Sequence, residues 1–171
     1  MSAGTRTIEE QMGEVMHPQI KAFLDMIAWS ELGEELIDLS DNGYNVIVGS
    51  TPSRPVLFHD YSDHPRRLIT PRRGMKPSSA AGRYQILARN FDVYRKSLRL
   101  RNFGPDAQDR IAIKLITECD ATDDIIHGDI KAAIAKCASR WASLPGAGYG
   151  QHEHKIAPLI AAFKYAGGVV V

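Results

Sequence analysis

The sequence has little of what marks secreted, membrane-spanning or nucleic-acid-binding proteins. It contains only two cysteines, Cys119 and Cys137, which form no CxxC pair and have no metal-ligand spacing, so we expect buried, reduced thiols. It has no run of about 18 apolar residues, which predicts that there is no membrane span. The formal net charge of +1 argues against nucleic acid as the main partner. The N-terminal stretch lacks the apolar core of a secretory signal, so we expect a protein held in the cytoplasm.

The remaining composition is that of an ordinary globular protein. With 171 residues, 44% of them apolar and 24% charged, the chain is long enough to bury one sizeable core. Residues 1–17 are polar and predict an N-terminal extension, with a possible short helix over 8–16. Residues 18–171 then form a single folded domain, which we expect to be a monomer.

Apolar spacing predicts a mostly helical domain of the α+β class with a small β-hairpin. A first helix is indicated over 17–29, and an acidic, irregular stretch follows over 33–43. Short β-type runs at 44–48 and 56–58 can pair as a hairpin, whereas 61–79 has no clear period. Helical stripes return over 84–98, 111–119, 130–141 and 156–163, and Gly167-Gly168 ends the last helix.

Glu31 stands out because it continues an apolar stripe. Ile20, Phe23, Leu24 and Ile27 mark one face of the first helix, and a step of about 100° per residue carries that face on to position 31. A buried carboxylate at the negative end of the helix dipole should have a raised pKa. A carboxylic acid that stays protonated near neutral pH is what general-acid catalysis requires. Taken alone, a solvated glutamate at a frayed helix end is the competing interpretation.

Five segments of the chain resemble the phage lambda-type endolysins, which belong to the lysozyme superfamily. The resemblance runs in register from about residue 20 to residue 168, and it implies a lysozyme-like fold with a β-lobe beside a substrate cleft. The Gly-rich segment is the most specific of the five. The segments are AFLDMIAWSE (22–31), GYNVIV (43–48), DYSDHP (60–65), AGRYQ (81–85) and WASLPGAGYGQ (141–151).

The resemblance implies a bacteriolytic lytic transglycosylase that acts on peptidoglycan, the bacterial cell wall, without a cofactor or metal. Such enzymes cleave the β-1,4 bond between N-acetylmuramic acid and N-acetylglucosamine and leave a 1,6-anhydro-muramyl end. Glu31 would be the catalytic acid and then the base, and the protein would stay in the host cytoplasm until a membrane-permeabilising factor releases it. Residues that would line the saccharide cleft are Tyr149, Gln151, Tyr84 and Gln85, with Asn45, Asp60, Ser62 and Asp63 as further candidates.

Two other functions remain open at this point. A hydrolytic muramidase would cleave the same bond with water and would need a second carboxylate, for which Asp41, Asp60 and Asp63 are candidates. Related endolysins commonly carry aspartate where this chain has Asn45, and an amide cannot serve as that carboxylate. A non-catalytic wall-binding module on the same scaffold is the second alternative.

Three polar features have structural interpretations beside functional ones. Residues 60–65 can form a turn in which Asp and Ser side chains satisfy the backbone. The cationic stretch at 66–76 is either a solvated loop or a surface attracted to the anionic wall. His152 and His154 lie at i and i+2, which do not share a helix face, so we expect a polar helix start there and no zinc site.

Overall fold

The computed structural model describes residues 16–150 and 152–171. The predicted helix over 8–16 therefore lies almost wholly outside the described residues, as does Gln151. Within the described ranges, none of the helices is long and apolar enough to cross a bilayer. These helices are α1 (Pro18–Leu32), α2 (Glu34–Asp38), α3 (Ala88–Ser97), α4 (Pro105–Glu118), α5 (Thr122–His127), α6 (Ile130–Cys137) and α7 (Ile156–Tyr165).

Helix α1 is the central element, since it is buried on most of its sides and packs against α2, α4, α5 and α7. At its start, His17 Nδ1 accepts a hydrogen bond from the Gln19 N–H at 3.2 Å. At its end, Gly33 has a φ of 78° and donates its N–H to the Trp29 carbonyl at 2.8 Å. The helix thus runs past the predicted end at residue 29 and ends at Leu32, which places residue 31 in its last turn.

The β-lobe has the predicted pairing but is smaller than a regular hairpin. Val46 bridges Leu57 in antiparallel fashion, and Ile47 N–H donates to the Val56 carbonyl at 2.9 Å. Ile47 also bridges Ala81, so the segment around residue 81 forms a third edge that the sequence did not predict. In the described part of the chain these pairings are isolated bridges and do not extend into longer strands.

Two local predictions were wrong. The acidic stretch after Gly33 contains the short helix α2. Glu34 and Glu35 lie in its first turn, where their side chains interact favourably with the positive end of the helix dipole. The helical stripe predicted over 84–98 begins later than residue 84. The AGRYQ segment forms a turn that is closed by the bridge between Ala81 and Ile86, and α3 begins only at residue 88.

The four later stripes correspond to helices α3, α4, α6 and α7, as predicted, whereas α5 was not predicted. Asp129 caps α6 by accepting the Ala132 N–H at 3.2 Å, close to the predicted start. Both cysteines are free thiols, and Cys137 is buried, but Cys119 is only half-buried, contrary to the expectation for it. Burial in the core raises the pKa of the Cys137 thiol.

Candidate active site

Glu31 lies in the last turn of α1 with its carboxyl group turned into the protein. Its Oε1 accepts a hydrogen bond of 2.6 Å from Ser143 Oγ. Burial raises the pKa of Glu31 to about 6, and the hydrogen bonds from Ser143 only partly offset that effect. No charged side chain is among the causes of this shift. Glu31 is therefore a carboxylic acid that holds its proton well above the usual range of a glutamate.

A compact group of polar side chains surrounds this carboxyl group. Ser30 Oγ lies 2.9 Å from Ser143 Oγ and 2.8 Å from the Ile27 carbonyl oxygen. His154 Nε2 lies 3.0 Å from the Ser30 carbonyl oxygen, and the imidazole packs against the half-buried Trp29 with ring centroids 4.9 Å apart. Desolvation lowers the pKa of His154. At neutral pH this histidine is thus a neutral imidazole that packs against the last turns of α1.

The Gly-rich loop after Ser143 is held by one carboxylate. Glu153 accepts hydrogen bonds from the N–H groups of Gly146 at 2.9 Å and Gly148 at 2.8 Å, and these bonds lower its pKa. Tyr149 is 57% exposed in this loop, and its hydroxyl donates to the Ser139 carbonyl at 2.7 Å. The loop therefore presents an aromatic ring whose far end is anchored. Gln151, which follows it, is outside the described residues.

The AGRYQ turn is built into the core. Gly82 has a φ of 81°, and a Cβ there would overlap the side-chain amide of the fully buried Gln108. Tyr84 is only 2% exposed, and its hydroxyl donates to Asp109 at 2.6 Å. Gln85 folds its side chain back and donates to the Gly82 carbonyl at 2.9 Å. Tyr84 is thus largely buried but lines a pocket together with Tyr44 and Asp109, and Gln85 is half-buried, so the role of both as cleft residues stays a prediction.

Asn45 likewise has an internal role. It is 6% exposed, and its Oδ1 accepts the Asp41 N–H at 2.9 Å. Asp41 in turn accepts the Tyr61 hydroxyl at 2.6 Å. The Asn45 side chain thus stabilises the turn before the β-lobe, and its role as a substrate contact stays a prediction.

The DYSDHP segment forms the turn that was one of its two interpretations. Asp60 accepts the Ser62 N–H at 2.8 Å, and hydrogen bonding to the Ser62 side chain, together with that N–H, lowers the pKa of Asp60. Asp63 makes ion pairs with Arg66 at 2.9 Å and Arg95 at 3.2 Å. Asp60 and Ser62 are exposed, so they stay accessible, but every hydrogen bond described for them lies within the turn. Of the cationic stretch, Arg66 belongs to this ion-pair cluster.

Sequence reasoning missed three residues of the site: Ser143, Glu153 and His154. Ser143 lies inside the Gly-rich motif, so the motif itself was the signal that could have identified it. Glu153 and His154 were assigned to a polar helix start, but α7 begins only at residue 156. Only the folded chain brings the His154 ring against Trp29, because no periodic pattern connects the two.

A glutamate with a raised pKa at the end of a central helix, beside a small β-lobe, defines the class of the lysozyme-like enzymes. A model of the Endolysin family matches residues 21–170. The endolysin of Escherichia phage lambda is 54% identical over 153 residues, which cover 89% of this chain and 93% of that protein. The endolysin of Escherichia phage P2 is 50% identical over 159 residues, which cover 90% and 95%.

Solved structures agree with these relatives. The structure of bacteriophage lambda lysozyme complexed with a chitohexasaccharide has a TM-score of 0.84 and 50% identity, and covers 92% of this chain and 99% of that one. A second structure of lysozyme from bacteriophage lambda has a TM-score of 0.80. The chain belongs to the endolysin family, the bacteriolytic cell-wall enzymes of phages.

Proposed function

We propose that this endolysin is a lytic transglycosylase that cleaves the β-1,4 bond between N-acetylmuramic acid and N-acetylglucosamine in peptidoglycan. The observation that carries the proposal is that the buried Glu31 carboxyl group is hydrogen-bonded to Ser143, with no carboxylate among the causes of its raised pKa. In hydrolases with a carboxylate pair, the two groups lie roughly 5–9.5 Å apart. A second carboxylate so close to a buried one would raise its pKa further. None contributes to the raised pKa of Glu31.

The other candidate carboxylates have partners of their own. Asp41 accepts the Tyr61 hydroxyl, Asp60 accepts the Ser62 N–H, and Asp63 is paired with two arginines. These contacts hold the three side chains in their present positions. The amide of Asn45 carries no negative charge, so it cannot act as a nucleophile or base. Glu31 is left as the group that performs both proton transfers.

One carboxyl group suffices for the transglycosylase reaction. Protonated Glu31 gives its proton to the glycosidic oxygen as the bond to the muramyl C1 breaks, through an oxocarbenium-like transition state. The muramyl C6 hydroxyl then attacks C1, and ionised Glu31 accepts the proton of that hydroxyl. The new C1–O6 bond closes the 1,6-anhydro ring and regenerates the acid. Because the nucleophile belongs to the substrate, proximity replaces the second protein carboxylate.

The substrate is an extended glycan. Its contacts are proposed by analogy with the lambda lysozyme that was solved with a chitohexasaccharide. Tyr149 offers an exposed ring, and Gln151 and Gln85 offer amides for the N-acetyl and hydroxyl groups. We place this activity in a catalytic domain over 18–171, with 1–17 as an extension, and propose that a separate permeabilising factor releases the protein to the wall.

Product analysis tests the reaction type. Purified peptidoglycan is digested in heavy-oxygen water, and the released fragments are weighed by mass spectrometry. A transglycosylase gives anhydro-muramyl ends without the heavy isotope. A muramidase gives reducing ends that are heavier by one water and carry the isotope, and this result would overturn the proposal.

The Glu31→Gln variant tests the residue. An amide cannot donate the required proton, so lysis of cell-wall suspensions should fall to background while the protein stays folded. Glu35→Gln is the matched control, because Glu35 is an exposed glutamate on the adjacent helix α2. If Glu31→Gln still clears the suspension, Glu31 is not the catalytic acid. If the parent protein binds the cell wall but does not lyse it, the result would instead favour a non-catalytic wall-binding module.

A further inference from the structure

Two serine hydroxyls connect the Glu31 carboxyl group to the backbone of its own helix. Glu31 Oε1 lies 2.6 Å from Ser143 Oγ, which lies 2.9 Å from Ser30 Oγ, which lies 2.8 Å from the Ile27 carbonyl oxygen. Both serines are buried. Three short contacts between oxygen atoms thus form a continuous line from the Glu31 carboxyl group to the Ile27 carbonyl, which can accept a hydrogen bond but cannot donate one.

The number of protons in this line depends on Glu31. Each of the three contacts needs one hydrogen, but Ser30 and Ser143 together supply only two. When Glu31 is ionised, one contact is left without a hydrogen. When Glu31 is protonated, its own hydrogen completes the line, which runs from Glu31 to Ser143, from Ser143 to Ser30, and from Ser30 to the Ile27 carbonyl. The line is fully satisfied only in the neutral state.

We infer that Ser30 and Ser143 are positioning residues that form a reversible two-hydroxyl chain, in which Ser143 stabilises the ionised acid, Ser30 opposes that effect, and both hydroxyls turn around when the proton leaves. In the ionised state Ser30 donates to Ser143, and Ser143 donates to Glu31. The Ile27 carbonyl then loses the hydrogen bond from Ser30 and keeps only its backbone hydrogen bond within α1. This inference deepens the proposed function, because that mechanism uses Glu31 first as acid and then as base. The chain gives each state a donor arrangement without moving a heavy atom.

Among the residues that the structure describes, no charged side chain is a cause of the raised pKa of Glu31. On α2, Glu34 and Glu35 are exposed. On the segment before α7, Glu153 is held by backbone N–H groups, and His154 contacts the Ser30 carbonyl as a neutral imidazole. On the opposite side of α1, Asp25 is paired with Lys21 and Arg83. Besides burial, the polar groups that set the pKa of Glu31 are therefore the Ser143 hydroxyl and N–H and, through the Ser143 hydroxyl, the Ser30 hydroxyl.

The test compares two single variants that should move the pKa of Glu31 in opposite directions. In Ser30→Ala only the Ser143 hydroxyl and its contact with Glu31 remain, so the ionised state no longer has a contact without a hydrogen. The pKa of Glu31 should therefore fall by about 0.7 pH unit. Ser143→Ala removes the donor that faces the carboxylate, so the pKa should rise by about 1 pH unit. The pKa is measured by an NMR titration of the Glu31 side-chain carboxyl carbon, and by the alkaline limb of the pH–rate profile.

A double variant separates a chain from two independent effects. Once Ser143 is alanine, Ser30 has no path to Glu31, so adding Ser30→Ala should leave the pKa of Glu31 unchanged. Ser97→Ala is the matched control: its hydroxyl also points to the carbonyl three residues earlier, at 3.4 Å from the Tyr94 oxygen, but on helix α3. It should not move the titration.

Three outcomes would overturn the inference. The first is that the two single variants shift the pKa of Glu31 in the same direction, and the second is that Ser30→Ala does not shift it. The third is that Ser30→Ala shifts this pKa as much in the Ser143→Ala background as in the parent. Because the NMR titration does not need turnover, it reports on the chain even if Glu31→Gln proves to be active. Conversely, the Glu31→Gln variant could be inactive while the serine variants leave the pKa of Glu31 unchanged. That result would support the proposed function and contradict the hydroxyl chain.

Discussion

Glu31 Oε1 and Ser143 Oγ lie 2.6 Å apart although 112 positions separate the two residues in the chain. The contact joins the last turn of α1 to the segment that leads into the Gly-rich loop. The carboxyl group is therefore buried by the packing of two distant parts of the chain. Its raised pKa is a property of the folded protein, and changes in the fold should be measurable through it.

The stability of the protein should decrease as Glu31 ionises. The pKa of Glu31 rises from 4.5 to about 6 on folding, so the stabilising effect of the neutral acid is fully present below pH 4.5 and is lost as the pH rises through 6. Glutamine does not titrate. We therefore compare the free energy of unfolding of Glu31→Gln with that of the parent at each pH. The variant's value minus the parent's value should be about 2 kcal/mol higher at pH 7 than at about pH 4. Urea unfolding at both pH values measures this difference.

Glu35→Gln serves as the control for this measurement, because Glu35 is exposed on α2. Its difference from the parent should stay nearly constant over the same pH range. A constant difference for Glu31→Gln as well would mean that the Glu31 carboxyl group is solvated in the folded state.

Gly82 should tolerate no side chain. A Cβ at this position overlaps the amide of Gln108, which accepts from the Arg83 N–H and donates to the carbonyls of Tyr44 and Phe103. The positive φ adds backbone strain. We expect Gly82→Ala to lower the free energy of unfolding by about 2–4 kcal/mol, because it adds lost buried hydrogen bonds to that strain.

Gly74→Ala is the matched control for Gly82→Ala. Gly74 also has a positive φ, of 86°, but nothing lies within 4 Å of a Cβ there. Its cost should be that of the backbone alone, about 1–2 kcal/mol. Equal costs in urea unfolding at the two positions would show that Gln108 moves away without loss.

The helices and the acid could be predicted from the sequence because both depend on periodicity. The stripe that begins at Ile20 gives the buried face of α1 and, one turn further, the inward direction of Glu31. The pairing of 44–48 with 56–58 was also predictable, since it connects neighbouring segments. The third edge at Ala81 was not, because its partner Ile47 is far away in the chain and no local pattern marks it.

The roles of polar residues could not be predicted, because a side chain's partners are set by tertiary packing. The AGRYQ motif predicts that Tyr84 lines the cleft, but it does not predict that the Tyr84 hydroxyl donates to the half-buried Asp109. The GYNVIV motif likewise does not predict that Asn45 accepts the Asp41 N–H. Ser143 had no periodic or charge signal, and only its distance from Glu31 gives it a role.

Glu153 should control the Gly-rich loop. Its carboxylate accepts from the N–H groups of Gly146 and Gly148, and an amide oxygen is a weaker acceptor than a carboxylate. We expect Glu153→Gln to raise KM for soluble peptidoglycan fragments severalfold with a small change in kcat, and to speed hydrogen exchange at both glycine amides. Exchange at buried α1 amides is the internal control. Unchanged exchange at the two glycines would mean that the loop does not depend on this carboxylate.

Tyr149 should act through its ring more than through its hydroxyl. The ring is 57% exposed, while the hydroxyl is occupied by the Ser139 carbonyl. If the ring stacks on a sugar, Tyr149→Ala should lower kcat/KM about tenfold, and Tyr149→Phe should lose much less because it keeps the ring. Tyr165→Ala removes a ring that is 88% exposed at the end of α7, so it controls for the loss of a surface aromatic. Equal losses for the alanine and phenylalanine variants would assign the effect to the Ser139 contact, because only the hydroxyl is missing from both.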